Sequence, residues 1–166
     1  MFWANGYDPT SITDLTRAMN IGAPSLYAAF GDKKALFHEA VATYQATYGA
    51  FTAQAVTEEP TARAAVTRML HEAAGHYTDD AHPRGCLVIS AATNCTTPDV
   101  ATRLRTIRNN NVKAIEQLVA AEFPDQAHAL AVFTAATIQG MSQQARDGAT
   151  RSDLEAVADV AMRAWP

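Results

Sequence analysis

Residues 11–30 read Ser11-Ile12-Thr13-Asp14-Leu15-Thr16-Arg17-Ala18-Met19-Asn20-Ile21-Gly22-Ala23-Pro24-Ser25-Leu26-Tyr27-Ala28-Ala29-Phe30. Thr10 or Ser11 can cap a helix here, and Asp14, three residues past Ser11, can return the bond. Ile12, Leu15, Ala18 and Met19 give that helix one apolar face. Asn20-Ile21-Gly22 is a tight turn, and Pro24 suits the first turn of a second short helix over 23–30. Leu26 and Phe30, four apart, mark its buried side. Two helices of about eight residues joined by a three-residue turn have the arithmetic of a helix-turn-helix. The second helix of such a pair can lie in a DNA major groove. With Leu26 and Phe30 inward, Ala23, Ser25, Tyr27 and Ala28 project elsewhere. Small residues let the backbone approach DNA closely, the Ser25 and Tyr27 hydroxyls can bond phosphate or base, and Lys33 supplies a point charge for phosphate. An ordinary αα-corner has the same geometry.

Outward from this stretch the chain is helical throughout. Gly31-Asp32 breaks the second helix, and a long helix follows from Lys33 to roughly Ala55, with Leu36, Phe37, Ala40, Val41, Tyr44, Tyr48 and Phe51 inward. Pro60 opens a helix to Asp79. Its apolar face is Val66, Met69, Leu70, Ala73 and Tyr77. Residues 85–93 form a short buried helix continued by Ala91-Ala92, because no second strand is available to pair with Gly85–Ser90. Further helices run from Thr97-Pro98-Asp99 to Glu122 and from Pro124 to Asp147. The last is capped by Ser152 and carries Trp165 near its end.

The 166 residues are 48% apolar and 18% charged, which excludes a disordered chain. No apolar run reaches the length of a membrane span. Two cysteines make no disulfide framework, so a reducing cytoplasm is the expected location. The net charge of −4 cannot attract a phosphate polymer in bulk, and residues 1–50 carry three basic against four acidic side chains.

Gly6-Tyr7-Asp8-Pro9-Thr10-Ser11-Ile12, then Leu15, Ala18, Ile21, Ser25-Leu26-Tyr27-Ala28-Ala29-Phe30-Gly31-Asp32-Lys33 and Leu36-Phe37, resembles the TetR/AcrR-type transcriptional repressors. Residues 139–148 resemble one branch of that family. The resemblance implies an all-α chain: a three-helix helix-turn-helix DNA-binding domain over 1–48, its first helix truncated, and a helical effector-binding and dimerisation domain over 49–166. It implies a homodimeric, cytoplasmic repressor on palindromic double-stranded operator DNA, with no enzyme activity, cofactor or metal. Thr10 and Ser11 would touch DNA backbone; Ala23, Pro24 and Ser25 would face bases; Tyr27 would meet backbone or a thymine methyl, and Lys33 phosphate. Family members usually carry a basic tail and a full first helix. Here Met1-Phe2-Trp3 begins inside that helix, with Phe2 and Trp3 supplying core. Either the chain starts at a downstream start codon or DNA affinity is weakened. The alternative is therefore an effector-binding helical dimer with weak or lost DNA binding.

The resemblance also implies a pocket among the central helices, walled by Met69, Leu70, Ala73 and Tyr77, then Cys86 and Ile89, then Leu104, Ile107 and Asn111, with Phe133 opposite. Each is also readable as plain core, which a helix bundle of this size buries anyway. The mostly apolar set implies a small hydrophobic or aromatic effector. Cys86, near Arg84 and a helix N-terminus, is a candidate thiol of lowered pKa, against the plainer reading of a small buried hydrophobe. On one helix Cys86 and Cys95 would lie roughly 13 Å apart along the axis, too far for a disulfide. His71-Glu72-Ala73-Ala74-Gly75-His76 misses the zinc-protease motif by one residue of spacing. The last two helices are expected to pair with their copies, through Ala131, Ala135, Ile138 and Ser142 on one and Leu154, Val157, Val160, Ala161 and Trp165 on the other.

Overall fold

The computed structural model describes residues 1–91 and 93–166. Among them the chain forms α1 (Phe2–Asn5), α2 (Ile12–Met19), α3 (Ala23–Phe30), α4 (Lys33–Ala46), α5 (Phe51–Glu58), α6 (Ala62–Thr78), α7 (Leu87–Ser90), α8 (Pro98–Ala120), a 3-10 turn (Pro124–Gln126), α9 (Ala127–Arg146) and α10 (Arg151–Arg163), with no strand. The all-α expectation holds. The expected continuation of α7 through Ala92 falls partly outside the described residues.

Polar side-chain caps set the starts of α2, α4, α6 and α10. Ser11 and Asp14 form a reciprocal capping box at α2: the Asp14 N–H donates to Ser11 Oγ at 3.1 Å and the Ser11 N–H to Asp14 Oδ2 at 3.0 Å. Asp32 caps α4 through the Ala35 N–H at 2.7 Å. Each such cap stabilises its helix by about 1 kcal/mol. Helix α10 is capped by Thr150 with Asp153, two residues before the expected Ser152. Both positions carry an acid three residues on, and Thr150 comes first after the Gly148 break.

The long helix expected over 33–55 is two helices. Thr47 leaves helical geometry, its hydroxyl donates back to the Thr43 carbonyl at 2.7 Å, and the Gly49 N–H reaches the Tyr44 carbonyl at 2.8 Å. A Cβ at Gly49 would stand 2.8 Å from the Tyr44 ring, so only glycine lets the chain fold back over that side chain. Tyr48, expected inward, is 47% exposed as a result.

Two regions of core follow. In the first, Phe2, Tyr7, Leu15, Leu26, Phe37 and Val41 are buried, and the Phe2 and Tyr7 rings each sit 5.0 Å from Phe37. In the second, α6 runs through the middle of the C-terminal bundle against α5, α9 and α10, while α8 lies along α9. Val66, Met69, Leu70, Leu104, Met141 and Leu154 have essentially no exposed surface. Each such side chain contributes about 1.5–3 kcal/mol of apolar burial.

The expected dimer stripe is corrected in part: of its members Val157 and Val160 are open, while most of the others are covered. Ala131, Ile138 and Ser142 are buried in their own chain, as are Leu154, Ala161 and Trp165. The apolar side chains that α9 and α10 leave open are Val132, Phe133, Val157 and Val160.

Candidate functional site

Helices α2 and α3 meet through Asn20, whose φ of 53° and ψ of 44° put it in the left-handed region. Asparagine tolerates that conformation. Gly22, with ordinary extended dihedrals, caps the N-terminus of α3. Leu26 is fully buried under α3 and Phe30 half-buried. Pro24, Ser25, Tyr27, Ala28 and Ala29 are exposed, Tyr27 at 48%, and Ala23 is half-buried. The outward face of α3 is thus a neutral rod of small residues carrying two hydroxyls.

The other expected DNA contacts bond to groups of the chain itself, Ser11 from an exposed position. Thr10 is 1% exposed, and its hydroxyl donates to the Gly6 carbonyl at 2.7 Å. It faces the core because it precedes the cap and turns into the Gly6–Pro9 loop. The Ser11 hydroxyl is held by Asp14, which it keeps below the usual carboxylate range. Lys33 Nζ lies 4.3 Å from the centre of the Tyr7 ring and donates to the Asp8 carbonyl at 3.4 Å. Lys34 pairs with Asp99 at 2.9 Å.

A cavity of about 330 Å³ opens in the C-terminal bundle, a volume suited to a small organic molecule. Of the residues expected there, Tyr77, Cys86, Ile89, Ile107 and Asn111 border it. Met69, Leu70 and Leu104 do not: all are sealed in the core, because they turn toward the other packing faces of α6 and α8. Phe133 is on the outer side of α9, 39% exposed. Asn111 is exposed rather than enclosed, so it stands at the rim. Tyr44, Phe51, Val56, Arg108, Ile138 and Gln139 also line the space. Tyr44 and Phe51 carried a signal in their inward helical spacing, but the break at 47–50 hid how α5 folds over to form a wall.

Cys86 precedes the first residue of α7 and donates its N–H to Ser142 Oγ at 2.9 Å. Burial pushes its thiol up, opposed by the Tyr44 hydroxyl, the Ile89 and Val88 N–H groups and the Tyr77 hydroxyl. Of the two readings of Cys86, its burial supports the small buried hydrophobe over a thiol of lowered pKa. Arg84 bonds instead to the Ala149 carbonyl at 3.1 Å and to Asp80 at 3.4 Å. Both cysteines are free, and Cys95 lies beyond α7 rather than on it. His71 pairs with Asp159 at 3.2 Å, while His76 stacks on Phe51. His82 stacks on Trp3 with ring centres 4.5 Å apart.

The helix-turn-helix unit is joined to the cavity walls by named contacts. Trp3 Nε1 donates to the Gly85 carbonyl at 3.1 Å, and its ring meets Tyr44 edge-on at 4.8 Å. Asp8 accepts from the Thr96 N–H at 2.5 Å, the Thr96 hydroxyl at 2.9 Å and the Thr97 hydroxyl at 2.8 Å.

Comparison with known proteins agrees with this geometry. Residues 1–40 match the description "Bacterial regulatory proteins, tetR family". The HTH-type transcriptional repressor ComR of Escherichia coli (strain K12) is 33% identical, over 100% of this chain and 84% of its own. The repressor BdcR of the same strain is 27% identical, over 97% of this chain and 81% of its own. A cysteine mutant of the TetR family transcriptional regulator CifR, solved with 26 bp double-strand operator DNA, superposes with a TM-score of 0.92 and 38% identity over 99% of this chain and 91% of that one. The protein is therefore a member of the tetR family of bacterial regulatory proteins.

Proposed function

We propose that the chain is a ligand-responsive transcriptional repressor acting in the cytoplasm, which binds a palindromic operator as a homodimer and is released by a small effector. Residues 1–48 would carry the DNA contact; residues 49–166 would carry the effector cavity and the dimer contact. The observation that carries this reading is the outward face of α3, with Ser25 and Tyr27 exposed above a buried Leu26, in a chain that superposes on an operator-bound relative. Ala23, Pro24, Ser25 and Tyr27 are the proposed groove contacts. Two α3 helices in a twofold dimer would reach half-sites about 34–36 Å apart. Effector binding between α4, α5, α7 and α8 would act on DNA through Tyr44–Trp3 and through the segment from Gly85 to Thr97, the two links described above. A ligand that favours one cavity shape thereby shifts the spacing of the two α3 helices.

A second reading is an effector-binding dimer with weak DNA affinity. The neutrality of the α3 face and the internal engagement of Lys33 and Lys34 favour it. Mobility-shift titration on DNA upstream of the chain's own gene, at low and moderate salt, separates the two. A repressor shifts that fragment as two chains per site. Its log affinity falls with log salt by about 0.9 for each phosphate contacted, and a neutral recognition face makes the slope shallow. A dimer that holds ligand in the cavity but shifts no fragment at low salt supports the second reading and ends the first.

A further inference from the structure

The cavity contains one charged side chain among the described residues that line it, Arg108 on α8. Around it stand Val56, Ile89, Val112 and Ile138, with amide groups from Gln139 and Asn111, and no aspartate or glutamate. Arg108 donates through Nη1 to the Val88 carbonyl at 3.0 Å. No other hydrogen bond and no ion pair holds the guanidinium among the described residues, so the rest of its N–H fork has no acceptor there. The contrast within the chain is direct: Arg68 engages Glu58, Glu59 and Glu72, Arg63 the carbonyls at the end of α10, and Arg151 Glu155. Burial works against the charge of Arg108, and the other cation facing it, Arg105, works the same way, with Cys86 the one opposing group. A half-buried cation without a counter-ion is costly unless something supplies one.

We propose that the effector is an amphiphile with an apolar or aromatic body and a single anionic oxygen group, such as a carboxylate or sulfonate, received by Arg108. This rests on the cavity being the effector site, as argued above. The Val88 carbonyl fixes one edge of the guanidinium. The free edge is a planar pair of donors matched to two oxygens of one anion. The apolar walls take the body, and Asn111 at the rim and Gln139 can bond substituents on it. A neutral hydrocarbon would fill the same space and leave the guanidinium unpaired, and a cation would be repelled. The effector class is thus narrower than apolar lining alone implies. Because Val88 belongs to α7, an anion seated here also touches the segment that leads to Thr96 and Asp8.

A matched pair of fluorescent probes tests this on the intact protein. 8-Anilinonaphthalene-1-sulfonate and N-phenyl-1-naphthylamine share one body and differ by the sulfonate. The expected result is that the sulfonate binds at least about tenfold more tightly than the neutral amine. In Arg108→Met the two affinities draw together, and in Arg108→Lys part of the preference remains. Ile107→Trp, which fills the cavity, weakens both probes and so separates cavity binding from adsorption to the exposed apolar face of α9 and α10. Equal affinities in the wild type, both lost in Ile107→Trp, overturn the anion proposal and leave the cavity reading standing. Binding that Ile107→Trp leaves intact overturns both. A sulfonate preference that survives Arg108→Met, with slower alkylation of Cys86 by iodoacetamide in that variant, assigns Arg108 to the thiol and also overturns the proposal.

Discussion

Trp3 donates its indole N–H to the carbonyl of Gly85 at 3.1 Å, fastening the first helix to the residue just before Cys86 of the cavity wall. Gly85 has a φ of +78°, and a Cβ there would stand 2.7 Å from the Ser142 carbonyl. Its loop is therefore pinned between α1 on one side and α9 on the other. Trp3→Phe keeps a ring against His82 and Tyr44 but leaves the Gly85 carbonyl without its donor, a loss of about 1 kcal/mol in urea unfolding. The larger expected effect is on coupling. The variant binds effector as before, yet needs several-fold more of it to release DNA in an anisotropy titration. An unchanged release curve would remove Trp3 from the path between cavity and DNA.

Asp8 is held below the usual carboxylate range by the Thr96 N–H first and the Thr97 hydroxyl second. In the unfolded chain an aspartate titrates near pH 3.9. A depressed folded value means that the ionised form favours folding. That contribution is complete above the unfolded value and disappears as pH drops through the folded one. Asp14, Asp99 and Asp153 are shifted in the same direction, so the test is a difference between two proteins. Wild type should melt above Asp8→Asn at neutral pH, and the gap should close below about pH 4. A gap of constant size down the acid limb would show that the Asp8 charge does not hold the α7–α8 loop.

Leu26 and Tyr27 are adjacent on α3 and point about 100° apart, at 0% and 48% exposure. Leu26→Ala empties a filled site and should cost about 2–5 kcal/mol. Tyr27→Ala should stay within about 0.5 kcal/mol of wild-type stability and still lower operator affinity about tenfold. Thermal melts and mobility shifts on the two variants give the comparison. Loss of fold in Tyr27→Ala, or full DNA binding with it, would mean that α3 does not present that face to DNA.

What could be read in advance was local. Ser11 with Asp14, the turn after Met19 and the four-residue spacing of Leu26 and Phe30 all act within one or two helical turns, and each left a pattern in the residues. The break after Ala46 depends on a tyrosine ring lying over Gly49, a contact that spacing does not encode. Cavity walls at α7, Cys86 just before it and Ile89 on it, were visible as an isolated apolar run. Met69, Leu70 and Leu104 were not separable from them, because apolar character says that a side chain is covered but not by what. Arg84 shows the same limit: its neighbour in sequence is Gly85 before Cys86, but its bond is to Ala149.

Helix α9 is apolar on two faces, and that ambiguity carries the dimer prediction. Ala131 and Ile138 turn into the chain's own core, while Val132 and Phe133 stay open, as do Val157 and Val160 of α10, the last at 56% exposure. Large apolar side chains left open to water favour association, at about 25 cal/mol for each Å² they bury. Val160→Glu and Phe133→Glu should each convert a dimer to a monomer in sedimentation velocity with little change in helix content, because neither residue supports the core. Ala131→Leu should do the reverse: it overpacks the interior at a cost of about 1–3 kcal/mol and leaves the dimer intact. Operator affinity should fall with the monomeric variants and not with Ala131→Leu, since only a twofold pair offers two α3 helices to one palindrome. A wild-type chain that sediments as a monomer at micromolar concentration, or dimers that survive both glutamates, would place the contact elsewhere.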